Sequence, residues 1–210
     1  INTLLSAYSA YLKNNNLLLE EKFEEDFLEV QEEGFNYQGF SAKGIVYCNG
    51  LGVMKSRYFS YLPFAPVKGE ILDLVQDFYP EEIINRGVFR ISLPNGNQRV
   101  GYTYTLHDLD QGPTENAKNE LLEKLEKLVP APVHSIQNHR YGIRPATKDR
   151  KPFLGEHPAV SGVYIFNGFG AKGVSLIPFY SKMMVEMLLN GDQPEKEVNI
   201  DRIKKHNSNF

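Results

Sequence analysis

Residues 141–173 constrain the fold more than any other part of the chain. They read Tyr-Gly-Ile-Arg-Pro-Ala-Thr-Lys-Asp-Arg-Lys-Pro-Phe-Leu-Gly, then a short apolar run, then Asn-Gly-Phe-Gly-Ala-Lys-Gly. The second part sets Gly168, Gly170 and Gly173 in Gly-x-Gly-x-x-Gly order, directly after the β-rich run Val163, Tyr164, Ile165 and Phe166. Leu176, Ile177, Tyr180, Met183, Met184, Met187 and Leu188 follow at helical spacing. A strand, a glycine turn and a helix are therefore expected in that order. Glycines let a backbone approach a ligand closely, and a helix start offers free N–H donors with positive potential. A dinucleotide fingerprint, however, opens a βαβ unit and needs an acidic strand end about 20 residues on. Here only Asn190, Gly191, a charged stretch and a polar tail remain. The residues leave two readings open: a helix-start contact for a ligand, or a turn that merely leads a strand into a helix.

The first part of the stretch centres on Arg144, flanked by Gly142, Ile143 and Pro145. Proline fixes its own φ and biases the residue before it toward extended backbone. A guanidinium held in this way suits two-pronged binding of a carboxylate. Most arginines are surface charges, so the neighbouring residues carry much of the argument.

Together these elements resemble the carboxy-terminal part of the FAD-dependent D-amino-acid oxidase and glycine oxidase superfamily. That family reads Gly-Leu-Arg-Pro-x-Thr-x-Asp-Gly-x-Pro-x-x-Gly, a strand, Gly-His-x-x-x-Gly and a final helix. Gly142, Arg144, Pro145, Thr147, Asp149, Pro152, Gly155, Gly168 and Gly173 match with spacing kept, whereas Arg150 stands where the family has glycine and Phe169 where it often has histidine. Upstream, residues 45–50 resemble the family strand that passes close to the cofactor. Residues 62–69 resemble Leu-Pro-x-x-Pro-Val-Arg-Gly, and residues 99–103 lie near the usual Val-Gly-Ala-Thr of the substrate-side strand pair.

The resemblance implies an α/β (α+β) fold in which a substrate-binding β-sheet domain, residues 63–142, joins an incomplete FAD-binding domain, residues 1–62 and 143–205. It implies oxidation of a small amine or amino acid: the α-hydrogen leaves as hydride to the flavin, and the imine hydrolyses. Arg144 would grip the substrate carboxylate, with Phe89 and Tyr104 as wall residues, although either ring could simply be core packing. Asn49, Gly50, Gly168, Gly170, Ala171, Lys172, Gly173 and Val174 would contact FAD, the helix-start N–H groups facing the pyrimidine edge of the flavin. The family's first pyrophosphate-binding turn has no counterpart here, so the chain is expected to be a piece whose partner is the missing amino-terminal half, and to bind FAD weakly or not at all alone. Two alternatives are a non-catalytic carboxylate-binding or interaction module, and the oxidase module of a transfer-RNA modification enzyme. A strand and Gly-x-Gly-x-x-Gly turn encoded upstream of Ile1 would decide for the oxidase over the first.

Composition narrows the partners. The chain has 210 residues, is 41% hydrophobic and 23% charged, and can bury one good core or two small ones. A net charge of −3 argues against a nucleic-acid face, and no apolar run approaches the ~20 residues of a membrane span. The single Cys48 excludes an internal disulfide and points to a cytoplasmic setting. It lies in an apolar run and is expected to be a buried core thiol. The acidic run 20–26, the polar loop His107 to Asp110, and His134 with His139 are expected to be solvated or structural and to bind no metal.

The local pattern predicts a helix with Leu4, Leu5, Tyr8, Tyr11 and Leu12 on one face, and a hairpin from residues 17–30 and 35–40. Further strands are predicted over 44–48, 88–93 and 98–105, the last two flanking the turn at Pro94, Asn95, Gly96 and Asn97. A helix capped by Thr114 should run to Leu128, with Leu121, Leu122, Leu125 and Leu128 inward.

Overall fold

The computed structural model describes residues 1–109 and 112–203. The chain forms two compact units, Ile1–Lys43 and Gly44–Phe210. Asp110 and residues 204 and 205, which belong to expectations above, lie outside the described residues.

In the first unit α1 (Asn2–Asn14) forms as predicted, but Leu4, Leu5, Tyr8 and Tyr11 are all exposed. Only Leu28–Gln31 (β1) of the longer predicted strand pairs as a strand, because the preceding acidic run has little β propensity. β1 pairs antiparallel with β2 (Gly34–Tyr37), and β2 with β3 (Phe40–Ala42). Gln38 and Gly39 both take positive φ (49° and 89°), which suits the tight turn joining those two strands.

The second unit contains two sheets. In the smaller, β4 (Ile45–Tyr47) runs parallel to a later strand. The larger begins with β5 (Val67–Gln76), which is buried along almost its whole length. β6 (Ile84–Asn85), β7 (Phe89–Ser92) and β8 (Gln98–Gly101) form a meander onto one edge of β5. The predicted turn between β7 and β8 is present, with Gly96 at φ 84°. Past Gly101 the regular strand ends earlier than predicted, but the Thr103 N–H still donates to the Glu70 carbonyl, and Thr105 exchanges backbone hydrogen bonds with Lys68.

α2 (Glu115–Leu128) starts where Thr114 accepts a hydrogen bond from the Ala117 N–H. It buries Leu121 and Leu125 against Leu72, Leu74, Val88, Val100 and Val129, while Leu122 and Leu128 pack at the rim. Truncating either central leucine to alanine would cost about 2–5 kcal/mol. β9 (Val133–Arg144) closes the other edge of β5, giving the order β6-β7-β8-β5-β9.

The chain then crosses to the smaller sheet, β10 (Phe153–Glu156) with β11 (Val163–Asn167) and β4. β11 leads through the glycine turn into α3 (Gly173–Asn190), so the strand, turn and helix are all present. Of the predicted apolar face of α3, only Met184 and Met187 are buried. The crossing is held by backbone bonds: the Ala65 N–H donates to the Ala146 carbonyl (2.7 Å) and the Lys148 N–H to the Pro63 carbonyl (3.0 Å).

Candidate active site

Arg144 is the last residue of β9, opposite Val67 on β5. Its guanidinium lies against Gly69, where an added Cβ would sit 2.1 Å from Nη2 and 2.5 Å from Cζ. Only glycine allows this approach. The Tyr102 ring centroid is 4.3 Å from Cζ, in cation–π range. Phe89 packs at 6.1 Å on Tyr102, so it stands behind the ring that contacts the arginine. Nη1 of Arg144 is buried without a hydrogen-bond partner. An orphaned charged donor costs several kcal/mol unless something supplies an acceptor.

Arg144 opens on a cavity of about 490 Å³. Tyr102 and Tyr104 line one part of it, and Gly168, Gly170, Ala171 and Lys172 another. Lys148 and Arg150, from the loop after β9, also line it, and no aspartate or glutamate does among the described residues. Arg144, Tyr104 and four of the turn residues expected at one site thus share one cavity. Phe89, Asn49, Gly50, Gly173 and Val174 are not on its wall.

The expectation that the turn's N–H groups are free is overturned at three positions. The Gly168 N–H donates to Asn167 Oδ1 (2.8 Å), the Gly170 N–H to the Pro145 carbonyl (3.2 Å) and the Lys172 N–H to the Phe169 carbonyl (3.0 Å). These bonds hold the turn in place. Asn167, buried at the end of β11, also donates from Nδ2 to the Gly50 carbonyl (2.9 Å), joining Gly50 to the turn. Gly168 has φ 83°, and a Cβ there would lie 2.7 Å from Thr147 Cγ2. The first turn of α3, with Gly173 and Val174, has no side-chain cap.

The other face of β5 carries a closed set of charges. Lys68 and Glu70 are both buried, with Nζ 3.1 Å from Oε1. Glu70 also accepts from the Thr114 N–H (2.8 Å) and hydroxyl (3.1 Å), and Lys68 donates to the Gly112 carbonyl (2.7 Å). His139 Nε2 lies 2.8 Å from Glu70 Oε2, off the direction of a hydrogen bond. Burial alone would raise the Glu70 pKa, but the bonds from Thr114 and Lys68 outweigh it and hold the carboxyl below its usual range. On the face of Gly69, Asp73, desolvated but paired with Arg99 (2.7 Å) and Arg140 (2.5 Å), is held low in the same way. So is Asp149, whose burial is outweighed by Arg202 and the Lys151 N–H.

Cys48 corrects an expectation: it follows the end of β4 and is exposed, because the buried position of that short strand is Tyr47. Among the described residues no cluster of histidine, cysteine or carboxylates could hold a metal, and no helix is long and apolar enough to cross a membrane. Sequence reasoning missed Gly69, Tyr102, Lys148 and Arg150. A glycine inside the buried strand β5 was one available signal, and the alternation of Tyr102 with Tyr104 was another.

A family model described as FAD dependent oxidoreductase (DAO) matches residues 16–187. The chain belongs to the FAD-dependent oxidoreductase (DAO) family. Glycine oxidase of Bacillus subtilis is 28% identical over 205 residues, covering 91% of this chain and 54% of the relative. The bifunctional transfer-RNA 5-methylaminomethyl-2-thiouridine biosynthesis protein MnmC of Aromatoleum aromaticum is 23% identical, covering 78% of this chain and 29% of that protein. The crystal structure of glycine oxidase from Geobacillus kaustophilus superposes with a TM-score of 0.64 at 23% identity, covering 80% of this chain and 48% of that one. That likeness shows the DAO fold, mixed α/β with several sheets. The chain spans about half the length of the glycine oxidases it matches.

Proposed function

We propose that this chain carries the substrate-binding sheet and the carboxy-terminal flavin-side share of an FAD-dependent enzyme that oxidises an amine or amino acid. The observation that carries this reading is the buried, unpartnered Nη1 of Arg144 in the same cavity as the glycine turn. Arg144 binds the substrate carboxylate, Tyr104 forms wall, and Phe89 supports Tyr102. Gly168, Gly170, Ala171 and Lys172 face the cofactor, with the uncapped start of α3 at Gly173 and Val174 directing positive potential at it. Gly50 acts from behind, through Asn167, with Asn49 next to it in the chain. The turn fits such a group because positive φ at Gly168 and Gly170 leaves no side chain between backbone and cavity. A bound flavin supplies the hydride acceptor. The protein's own task is to hold the substrate Cα–H at a fixed position beside it. In this reading residues 1–62 and 143–205 belong to the FAD side and 63–142 to the substrate side. The single cysteine supports a cytoplasmic setting.

The test is Arg144→Leu in the longer FAD-loaded protein of which this chain is proposed to be a part. The Michaelis constant for an amino acid should rise at least tenfold, since losing one partner of a buried charged pair costs roughly 2–5 kcal/mol, while that for an amine without a carboxylate changes far less. Equal effects on both would remove Arg144 from the site. The only Gly-x-Gly-x-x-Gly turn in this sequence is at 168–173. We therefore also expect residues 1–210 alone to bind FAD weakly, and stoichiometric yellow flavin in the purified chain would refute this. Similarity to MnmC supports a second reading, the oxidase module of a transfer-RNA modification enzyme, for which the substrate would be an amine on RNA.

A further inference from the structure

Arg202 reaches back from the closing turn Ile200–Arg202 to the loop that follows Arg144. The turn is seated on β10: Ile200 is buried, and an added Cβ on Gly155 would lie 2.8 Å from its Cγ1. The Arg202 side chain is 13% exposed. Its Nη1 donates to the Val198 (2.8 Å) and Asn199 (3.2 Å) carbonyls, which fixes the guanidinium on its own segment. Nε donates to Asp149 Oδ2 (2.8 Å), and Nη2 to Asp149 Oδ1 (3.3 Å) and the Lys151 carbonyl (3.0 Å). Cζ lies 4.3 Å from the centroid of the buried Phe153 ring. A guanidinium has five N–H donors, so every one is spoken for. This fork touches neither substrate nor cofactor in the reading above, and its task lies in the loop it grips.

That loop is strained. It leaves β9 with the Ala146 N–H donating to the Arg144 carbonyl (2.8 Å), and Ala146, Thr147, Lys148 and Arg150 all line the cavity. Arg150 has φ 62°, a left-handed conformation that costs a non-glycine residue about 1 kcal/mol or more and persists only where its surroundings over-determine it. The Arg150 N–H donates to the Thr147 carbonyl (3.1 Å), and the buried Thr147 hydroxyl lies 2.8 Å from the Lys151 carbonyl. The Lys151 N–H donates to Asp149 Oδ1 (3.1 Å). Arg202 thus grips the residue on each side of Arg150, Asp149 and Lys151, from a distant part of the chain.

We propose that Arg202 is a positioning residue for the substrate site: by gripping Asp149 and Lys151 it keeps Arg150 left-handed, and so keeps residues 146–150 in place as one wall of the Arg144 cavity. This rests on the reading of that cavity as the substrate site. Without the grip, Arg150 relaxes to an ordinary backbone conformation and the wall shifts. A ligand then has to restore the wall on binding, and its apparent affinity falls by the fraction of molecules that hold it. Glycine takes positive φ about as readily as negative, so glycine at position 150 would remove the dependence on Arg202.

The experiment is calorimetric titration of the longer FAD-loaded protein with butyrate, a carboxylate with no amine to oxidise. Arg202→Met should weaken binding about fivefold, which is ~1 kcal/mol and matches the strain released. In a protein already carrying Arg150→Gly, the same Arg202→Met change should weaken binding less than about twofold. A purely structural loss would not depend on residue 150. Equal weakening in both backgrounds therefore overturns the proposal. So does an Arg202→Met protein that is less stable in urea but binds butyrate as the parent does. Where Arg202→Met does not fold, Arg202→Lys keeps the charge and loses the fork, and it carries the same comparison: a loss of about twofold to threefold alone, and none beside Arg150→Gly. If Arg144→Leu leaves butyrate binding intact, the substrate-site reading fails and this proposal with it, whichever way the Arg202 variants behave.

Discussion

The two faces of β5 treat charge in opposite ways. On one, Lys68 and Glu70 are buried within 3.1 Å of each other, and the start of α2 is bonded to the same carboxylate. On the other, Gly69 makes room for Arg144, whose Nη1 is buried with no partner. In the first arrangement the Glu70 carboxylate is met by Lys68 and Thr114, which contributes to holding α2 on the sheet. The second is incomplete, and in the proposed reading a carboxylate ligand completes it. Buried charge alone therefore does not set the proposed site apart; the unmatched Arg144 Nη1 beside a cavity does.

The contrast can be broken by exchanging the consequences of mutation between the faces. Glu70→Ala leaves Lys68 buried without its counter-charge and should cost about 3–5 kcal/mol of stability in urea unfolding. A loss below about 1 kcal/mol would show that the pair is not structural. Acid should act on the paired carboxylates, Glu70 on this face, Asp73 on the opposite one and Asp149 in the loop after β9. The carboxyls of Glu70, Asp73 and Asp149 titrate below their usual range in the folded chain. Their stabilisation is thus complete above the unfolded value near 4 and is lost as pH falls through the lower folded values. Chemical unfolding between pH 6 and pH 3 should show stability falling at the acid end, and a flat profile would contradict the assignment.

Gly69→Ala tests the open face. A methyl group 2.1 Å from Nη2 displaces the guanidinium, so affinity for butyrate should fall at least tenfold, with a smaller stability loss than Glu70→Ala causes. Unchanged affinity would mean that the guanidinium does not act from its seat on Gly69. Tyr102→Leu should have the smallest effect. It removes a cation–π contact of about 0.5–2 kcal/mol, which calorimetry should read as a few-fold weakening of acid binding.

Much of this arrangement is legible in the sequence, because the chemistry there is local. Thr114 announces the start of α2, the Pro94 to Asn97 turn announces the hairpin, and the glycines at 168–173 announce the passage from β11 to α3. What escapes is set by pairing across the sheet. Gly69 and Arg144 are 75 residues apart in number and meet only because β5 and β9 pair with Val67 opposite Arg144. Tyr102 reaches the arginine only because the chain past β8 stays bonded to β5. The free-donor expectation at the turn failed for a similar reason: the Pro145 carbonyl that accepts from Gly170 comes from another segment. Cys48 escaped because a three-residue strand has too few buried positions for an apolar run to indicate which residue faces inward.

That bond between Gly170 and Pro145 has a further consequence. The residue after the proposed carboxylate anchor is joined by main chain to the turn proposed to face the flavin, and the next residue is joined to the strand entry at Ala65 (2.7 Å). The distance between anchor and turn is therefore fixed by peptide groups, which are common to every sequence, and not by side chains. Lining residues such as Tyr102, Tyr104 and Arg150 can then be exchanged one at a time without altering that spacing. In such a frame, a change of substrate is a change of lining at constant reach.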